Sequence, residues 1–401
     1  MKRHLLILIS LIIGLTSSAY GSLQPQQQPD SIRFSLLTCA AGGEIYSLFG
    51  HTAIRYENYT QGIDAVYNYG MFNFNTPNFA LRFALGETDY LLGVTSFKRF
   101  SAEYFFSGRD VWQQTLNLTY PEKMRLLTLL NENYRPENRM YRYNFFYDNC
   151  ATRPRDRIEA AIDGTIRYAN DMNDRQTGIT FRDQLRKYCQ GHPWSGLGID
   201  LCMGSPADLP ISRHEMMFVP FDLQSFFRQA QIVDTLGQCR PLVSAEERLI
   251  VTGTQPSDYY ETGITPQQSA WLLLLIVAGI SAWGIRCRKT YWWVDLPLFA
   301  AAGIAGCILA FLAGFSQHPA VSPNYLLFLF HPLHILCLPW MLYAVKQGRK
   351  STYMMINAVV LTLFITLSPL IPQRFDPTVL PLALCLLTRS VSNLVISKNS
   401  N

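Results

Sequence analysis

Five apolar stretches close the chain, roughly Gln268 to Ile285, Trp292 to Phe315, Asn324 to Val345, Tyr353 to Ile371 and Val379 to Ile396. Each is near the ~20 residues that an α-helix needs to cross a bilayer. The loops between them alternate in charge. Arg286-Cys287-Arg288-Lys289 and Lys346-Gln347-Gly348-Arg349-Lys350 are basic, whereas Ser316 to Pro323 and Pro372 to Pro377 carry little positive charge. Basic loops stay in the cytoplasm, so the weakly charged loops and the long polar region before the first span belong on the other side. The N-terminus gives the same orientation. Lys2-Arg3-His4, the apolar run Leu5 to Leu15 and the small residues Ala19 and Gly21 are the parts of an export signal over 1–21, with an uncleaved anchor as the alternative. A Gln- and Pro-rich leader over 22–31 follows, then a mixed domain over 32–240, a polar linker over 241–267, the five-helix region over 268–396 and a short cytoplasmic tail over 397–401.

Within 32–240 the pattern has period two near the start and helical spacing later. Phe34 to Leu37 reads as a short strand, and Glu44 to Phe49 as a helical turn ending at Gly50. His51 to Glu57 and Ile63 to Tyr69 read as a β-hairpin. If it folds about Tyr59-Thr60, Asn68 faces His51, and a slip of one residue would substitute Tyr67 or Tyr69. Phe72 to Leu92 is aromatic and strand-like, and Val111 to Leu118 alternates as another strand. Pro121 to Asn133 carries leucines at helical spacing behind Thr119, a fair N-cap. Arg153 to Ile162 is a second helical pattern, and Pro154 suits a first turn, so that helix begins between Asn149 and Thr152.

The charge of +5 sits close to the membrane segments and is too small to suggest nucleic acid. No phosphate-cradling Gly-Lys-Ser/Thr loop and no Gly-x-Gly-x-x-Gly occurs, which argues against a nucleotide-dependent enzyme. No cofactor is called for. An exported domain lies in an oxidising compartment, and this one holds Cys39, Cys150, Cys189, Cys202 and Cys239. Spacing suggests Cys189 with Cys202 and Cys39 with Cys239 as disulfides, leaving Cys150 free.

Cys150 is the candidate nucleophile because it stands where the second helix starts, and a thiol at the positive end of a helix tends to ionise near neutral pH. It needs a base, and His51, His192 and His214 are available. His51 stands out at the mouth of a strand behind Gly50, with a return strand that offers Asn68, or alternatively Asp64, to hold the imidazole in its productive tautomer. His331 and His334 share a helix face in the third span. With no acidic residue expected inside a span to complete a metal site, packing or headgroup contact is the expectation there, not a metal.

The order of His, a polar residue on the next strand, then Asn-Cys at a helix start resembles the circularly permuted papain-like fold, that of lecithin:retinol acyltransferase and some NlpC-like cell-wall amidases. The resemblance implies an α+β soluble domain followed by the all-α membrane region. More narrowly, Leu36-Leu37-Thr38-Cys39, Gly50-His51-Thr52-Ala53-Ile54-Arg55, Val66-Tyr67-Asn68-Tyr69-Gly70 and Tyr143 through Asp156 are similar to the Lnb family of bacterial lipoprotein N-acyltransferases. The similarity extends to Pro193-Trp194, Gly198-Ile199, Asp208 and the spans. It implies Cys150 as the acylated nucleophile and His51 as its base, with Asn68 resting on hairpin geometry. It also implies a phospholipid as acyl donor, a diacylated lipoprotein as acceptor, and the inner membrane, with the catalytic domain on the periplasmic side. A membrane-tethered cysteine peptidase or peptidoglycan amidase is the rival, since one such site serves hydrolysis as readily as transfer.

Overall fold

The computed structural model describes residues 31–72, 77–169 and 172–398. The expected export signal, nearly all of the leader and the last three residues of the tail lie outside the described residues. Seven antiparallel strands form the main sheet: β1 (Ile32–Cys39), β2 (His51–Asn58), β3 (Ile63–Met71), β4 (Asp89–Ser96), β5 (Val111–Leu116), β6 (Met140–Arg142) and β10 (Val243–Ile250), in the order β10-β5-β1-β2-β3-β4-β6. Three short strands, β7 (Thr165–Arg167), β8 (Gln231–Val233) and β9 (Cys239–Pro241), make a second, small sheet. The sheet is covered on both faces, so β1 is buried along almost its whole length, Ser35 and Thr38 included. Phe34 and Leu36 face a core completed by Leu126, Leu130 and Ile158, while Leu37 and Cys39 face Phe100 and Tyr104.

Among the described residues, eight α-helices fall between strands of this sheet, beginning with α1 (Phe79–Leu85), α2 (Phe97–Phe106), α3 (Tyr120–Tyr134) and α4 (Thr152–Ala161). In α3, Thr119 is the N-cap of a reciprocal capping box, its amide donating to Glu122 Oε2 at 2.7 Å. Two helices lie where the aromatic content reads as strand or is ambiguous. α1 falls inside the stretch 72–92, and α2 starts at Phe97 behind Ser96, whose hydroxyl accepts the Arg99 amide. Aromatic residues raise strand propensity only through packing, and here they pack on helices. The segment read as a linker also carries structure, because its residues 243–250 form β10. That strand is polar because it is an edge: Glu246 and Glu247 reach Gln114 and Gln113 of β5.

Of the five expected spans, four are single helices long and apolar enough to cross a membrane: Pro266–Cys287, Trp292–Phe315, one beginning at Thr352 and one beginning at Val379. The third is not one helix. It breaks near Cys337, between Pro332 and Pro339, into pieces bent by 74°. The expectation that no acidic residue sits inside a span fails, because Asp295 lies in the second span and is buried in the bundle. Asp295 Oδ1 accepts from Arg389 Nε at 2.6 Å, with Ser281, Asn393 and the Thr290 carbonyl completing the shell around a pair with no exposure. Buried charges persist in lipid only in such a fully bonded setting. His331 stacks on His334 at 3.9 Å, and both ring nitrogens of His334 are occupied, by the Leu329 carbonyl and the Tyr353 hydroxyl.

The soluble domain is bonded to the extramembrane loops of this bundle. The Gly204 amide donates to Ala320 O at 2.7 Å, Asn324 Nδ2 to Leu201 O at 2.8 Å, Gln373 Nε2 to Met203 O at 3.1 Å and the Gln317 amide to Leu85 O at 2.8 Å.

Candidate active site

β2 begins at His51 because the chain before it turns through Gly50, at φ +77°, where a Cβ would lie 2.7 Å from the Cys39 carbonyl oxygen. Only glycine fits. The hairpin register differs by two from the expected one: Ile54 pairs with Tyr67 and Glu57 with Asp64, because the turn is centred between Thr60 and Gln61 instead of between Tyr59 and Thr60. A shift of two keeps the same face, so Asn68 becomes the diagonal neighbour of His51 and not its direct opposite. Its side chain still reaches, and His51 Nε2 donates to Asn68 Oδ1 at 2.6 Å. That bond leaves Nδ1 as the basic nitrogen. Asp64 lies at the far end of the hairpin, clamped by Arg55 at 2.8 and 2.9 Å.

Cys150 stands two residues before the first residue of α4, and Asn149 fixes it there. The Asn149 Oδ1 accepts from the amides of Ala151 and Thr152 at 2.7 and 2.9 Å, and its Nδ2 donates to the carbonyls of Phe145 and Phe218. The side chain thus caps the helix and ties its approach loop to a distant segment. Across from the sulfur is Gly70, at φ +85°. A Cβ placed on it would lie 3.3 Å from Cys150 Cβ and 4.0 Å from His51 Cε1, so the Cys150 and His51 side chains approach each other where only a glycine separates them.

Neither expected disulfide is present. Cys39, Cys150, Cys189, Cys202 and Cys239 are all free thiols. Cys39 and Cys239 cannot meet, since one ends a central strand opposite His51 and the other is exposed on β9 of the small sheet. Cys39 is thus a second thiol near the imidazole. It is sealed at 0 % exposure and burial pushes it up to about 12, whereas Cys150 is only partly buried. The other histidines are elsewhere: His214 bonds Glu159 and His192 packs on Tyr260.

The expected low thiol pKa is overturned. Burial pushes Cys150 up to about 11, against the opposing pull of the Thr52 amide, its own amide and Arg109. Burial likewise pushes His51 down to about 4, although the bond to Asn68 resists. A helix N-terminus contributes only about 0.3–1 kcal/mol. The net rise of the thiol from 9.0 to about 11 corresponds to about 3 kcal/mol in the other direction, so burial decides. The resting pair is therefore a neutral thiol beside a neutral imidazole. Alkylation of Cys150 by iodoacetamide is expected to accelerate steadily as pH rises from 7 toward 10, since the thiolate fraction is still growing there. Peptide-resolved mass spectrometry would measure it, and a rate already flat from pH 5 upward would reveal a preformed thiolate–imidazolium pair instead.

Arg109, Thr52, Gly70 and Asn149 were not legible as site residues beforehand. Arg109 donates to the Ala40 carbonyl at 2.8 Å and lies over the Tyr104 ring, and only the fold brings it near the two functional groups. The sequence signal for Asn149 was its place before a helix start, where a side-chain cap is wanted.

The residues immediately before each functional group share one cluster. Leu48 and Phe49 precede Gly50-His51, Phe146 precedes Asn149-Cys150, and both groups pack with Ala320 from the loop between the second and third spans. The site is thus built directly over a membrane loop. The family model described as the Lnb N-terminal periplasmic domain matches residues 20–184, and the one described as the Lnb transmembrane domain matches residues 258–401. This chain belongs to the Lnb family. It is a multi-pass membrane protein with a periplasmic domain, and both candidate functional groups lie inside the periplasmic Lnb match. No curated protein and no solved structure matches it.

Proposed function

We propose that this Lnb-family protein is a lipoprotein N-acyltransferase of the inner membrane, working through a Cys150 thioester with His51 as base and Asn68 as the residue that orients it. The observation that carries this reading is the free, partly buried Cys150 side chain converging at Gly70 with an imidazole whose tautomer Asn68 fixes, in a domain bonded to membrane loops. A histidine and an amide on neighbouring strands, with the cysteine at a later helix start, also supports a circularly permuted papain-like arrangement for the α+β domain.

The chemistry follows from the neutral resting pair. As Cys150 attacks an ester carbonyl of a phospholipid, its proton passes to His51 Nδ1. The tetrahedral intermediate collapses, the glycerol oxygen takes that proton, and a lysophospholipid leaves an acyl-thioester on the enzyme. The α-amine of a diacylglyceryl-cysteine lipoprotein then attacks, His51 receives the amine proton and returns it to sulfur, and the triacylated lipoprotein departs. Water must be excluded while the thioester persists, and aromatic packing around the site serves that: Phe49, Phe145, Phe146 and Phe218 lie in ring contact behind it.

Purified full-length protein given phospholipid vesicles alone should gain one fatty-acyl mass on the Cys150 peptide and lose it when a synthetic diacylated lipopeptide is added, with the acyl group recovered on the lipopeptide's amine. Recovery of the acyl chain only as free fatty acid, or cleavage of a peptide stem by the same thiol, would replace transfer by hydrolysis.

A further inference from the structure

The Tyr141 hydroxyl is buried and bonded to nothing, although it stands at the site. Among the described residues it is the one tyrosine whose buried oxygen has no partner, and only 7 % of its side chain and backbone surface is exposed. Nearby tyrosines are satisfied: Tyr67 donates to Asn131 Oδ1 at 2.7 Å and Tyr69 to Asn133 Oδ1 at 2.8 Å. A buried hydroxyl without a partner is destabilising, so its retention calls for a reason. Its position supplies one. A Cβ on Gly70 would lie 3.9 Å from the Tyr141 oxygen and 3.3 Å from Cys150 Cβ, so the hydroxyl and the Cys150 side chain converge on the same glycine.

The ring is also held in place. Tyr141 lies on β6 opposite Tyr90, and the Arg153 guanidinium stacks over its face at 3.6 Å. Arg153 is itself clamped by both oxygens of Asp148, at 2.5 and 2.8 Å. Asp148 and Arg153 bracket Cys150 in the chain, so the segment that delivers the nucleophile also fixes the phenol. A cation over the ring draws electron density from it and makes the O–H a better donor.

We infer that Tyr141 is an oxyanion donor for acyl transfer at Cys150, an assignment that rests on Cys150 being the acylated nucleophile. When the sulfur–carbon bond forms, the carbonyl π pair moves onto oxygen, and the Tyr141 O–H hydrogen-bonds that oxyanion without giving up its proton. The pair returns as the carbon–oxygen bond of the ester breaks, and the leaving alkoxide takes the proton held on His51. The unmatched hydroxyl of the resting site acquires its partner only in the tetrahedral intermediate, the arrangement that lowers a barrier without tightening substrate binding.

The test uses full-length protein in nanodiscs and two reagents for one thiol. A p-nitrophenyl fatty ester acylates Cys150 through a tetrahedral oxyanion, whereas iodoacetamide alkylates it by displacement at carbon with no oxyanion. Tyr141→Phe is expected to slow acylation roughly a hundredfold while leaving Cys150 alkylation, followed by peptide mass, within about twofold, and with an unchanged melting temperature. Unchanged acylation would overturn the assignment. So would a parallel fall in both rates, which would mean that the phenol merely shapes the site or the thiol. Wild-type protein that reacts with the activated ester but never with phospholipid would refute the lipid substrate and leave Tyr141 in its role. Wild-type protein that is not acylated by either would refute both.

Discussion

Cys150→Ala is expected to lose the fatty-acyl adduct and all transfer to a lipopeptide amine, and His51→Gln to lower transfer by roughly a thousandfold or more. The two substitutions remove different parts of one machine. Alanine at 150 deletes the atom that would carry the acyl group, and it costs little structurally, because the cap that fixes this turn belongs to Asn149. Glutamine at 51 keeps a side chain that can bond Asn68 but cannot accept the thiol proton. With the Cys150 thiol pushed up to about 11, almost no thiolate exists at pH 7 without a base, so the histidine variant should be rescued in part by raising the pH. Transfer that persists at the wild-type rate in Cys150→Ala would end the thioester route, whichever residue then proved to carry the acyl group. Intact-protein mass and lipopeptide mass in the same reaction measure both outcomes.

Local pattern carried the first two strands, α3, α4 and the positions of most spans. In each of these the sequence signal and the environment agree: alternation over His51 to Glu57 in a hairpin, a Thr119 to Glu122 capping box, and Pro154 in a first turn. The failures have physical causes. The turn between β2 and β3 is centred on Thr60-Gln61, one residue later than Tyr59-Thr60, and that displaces the register by two. Asn68 survived that error only because side chains alternate with period two. The Cys39–Cys239 pairing failed because spacing says nothing about which sheet a cysteine joins. The third span is apolar enough to cross, but Pro332 and Pro339 break its backbone bonding. Arg109 and Tyr141 could not have been chosen from the chain at all, since neither is marked by its neighbours and each matters only through what the fold brings beside it.

The placement of the site over the membrane depends on a polar knot whose loss gives the largest expected effect on stability. Arg182, in the helix Phe181–Tyr188, has 1 % exposure and uses its whole guanidinium fork. It donates to Asp208 Oδ1 at 2.8 Å, to the carbonyl and Oδ1 of Asp200 at 2.9 and 2.8 Å, and to the carbonyls of Met203 and Gly204 at 2.9 and 3.0 Å. The same segment bonds the membrane loops through Met203 and Gly204. Arg182→Ala would therefore leave two buried carboxylates and three carbonyls short of a donor, at an expected cost of roughly 3–5 kcal/mol. That is a large share of the ~5–15 kcal/mol that holds a domain folded. Arg182→Lys should fall nearer to alanine than to wild type, because one ammonium cannot span these acceptors. Arg374→Ala is the contrast. It also removes an ion pair to the docking region, with Asp183 at 2.6 Å, but an exposed one worth about 1 kcal/mol at most. In thermal unfolding of the full chain, the Arg182 variants should melt well below Arg374→Ala. In assays they should lose transfer from bilayer phospholipid more steeply than acylation by a soluble activated ester, since the thiol and imidazole are built on other elements. Equal melting temperatures for Arg182→Ala and Arg374→Ala would show that this knot does not hold the domain against the membrane.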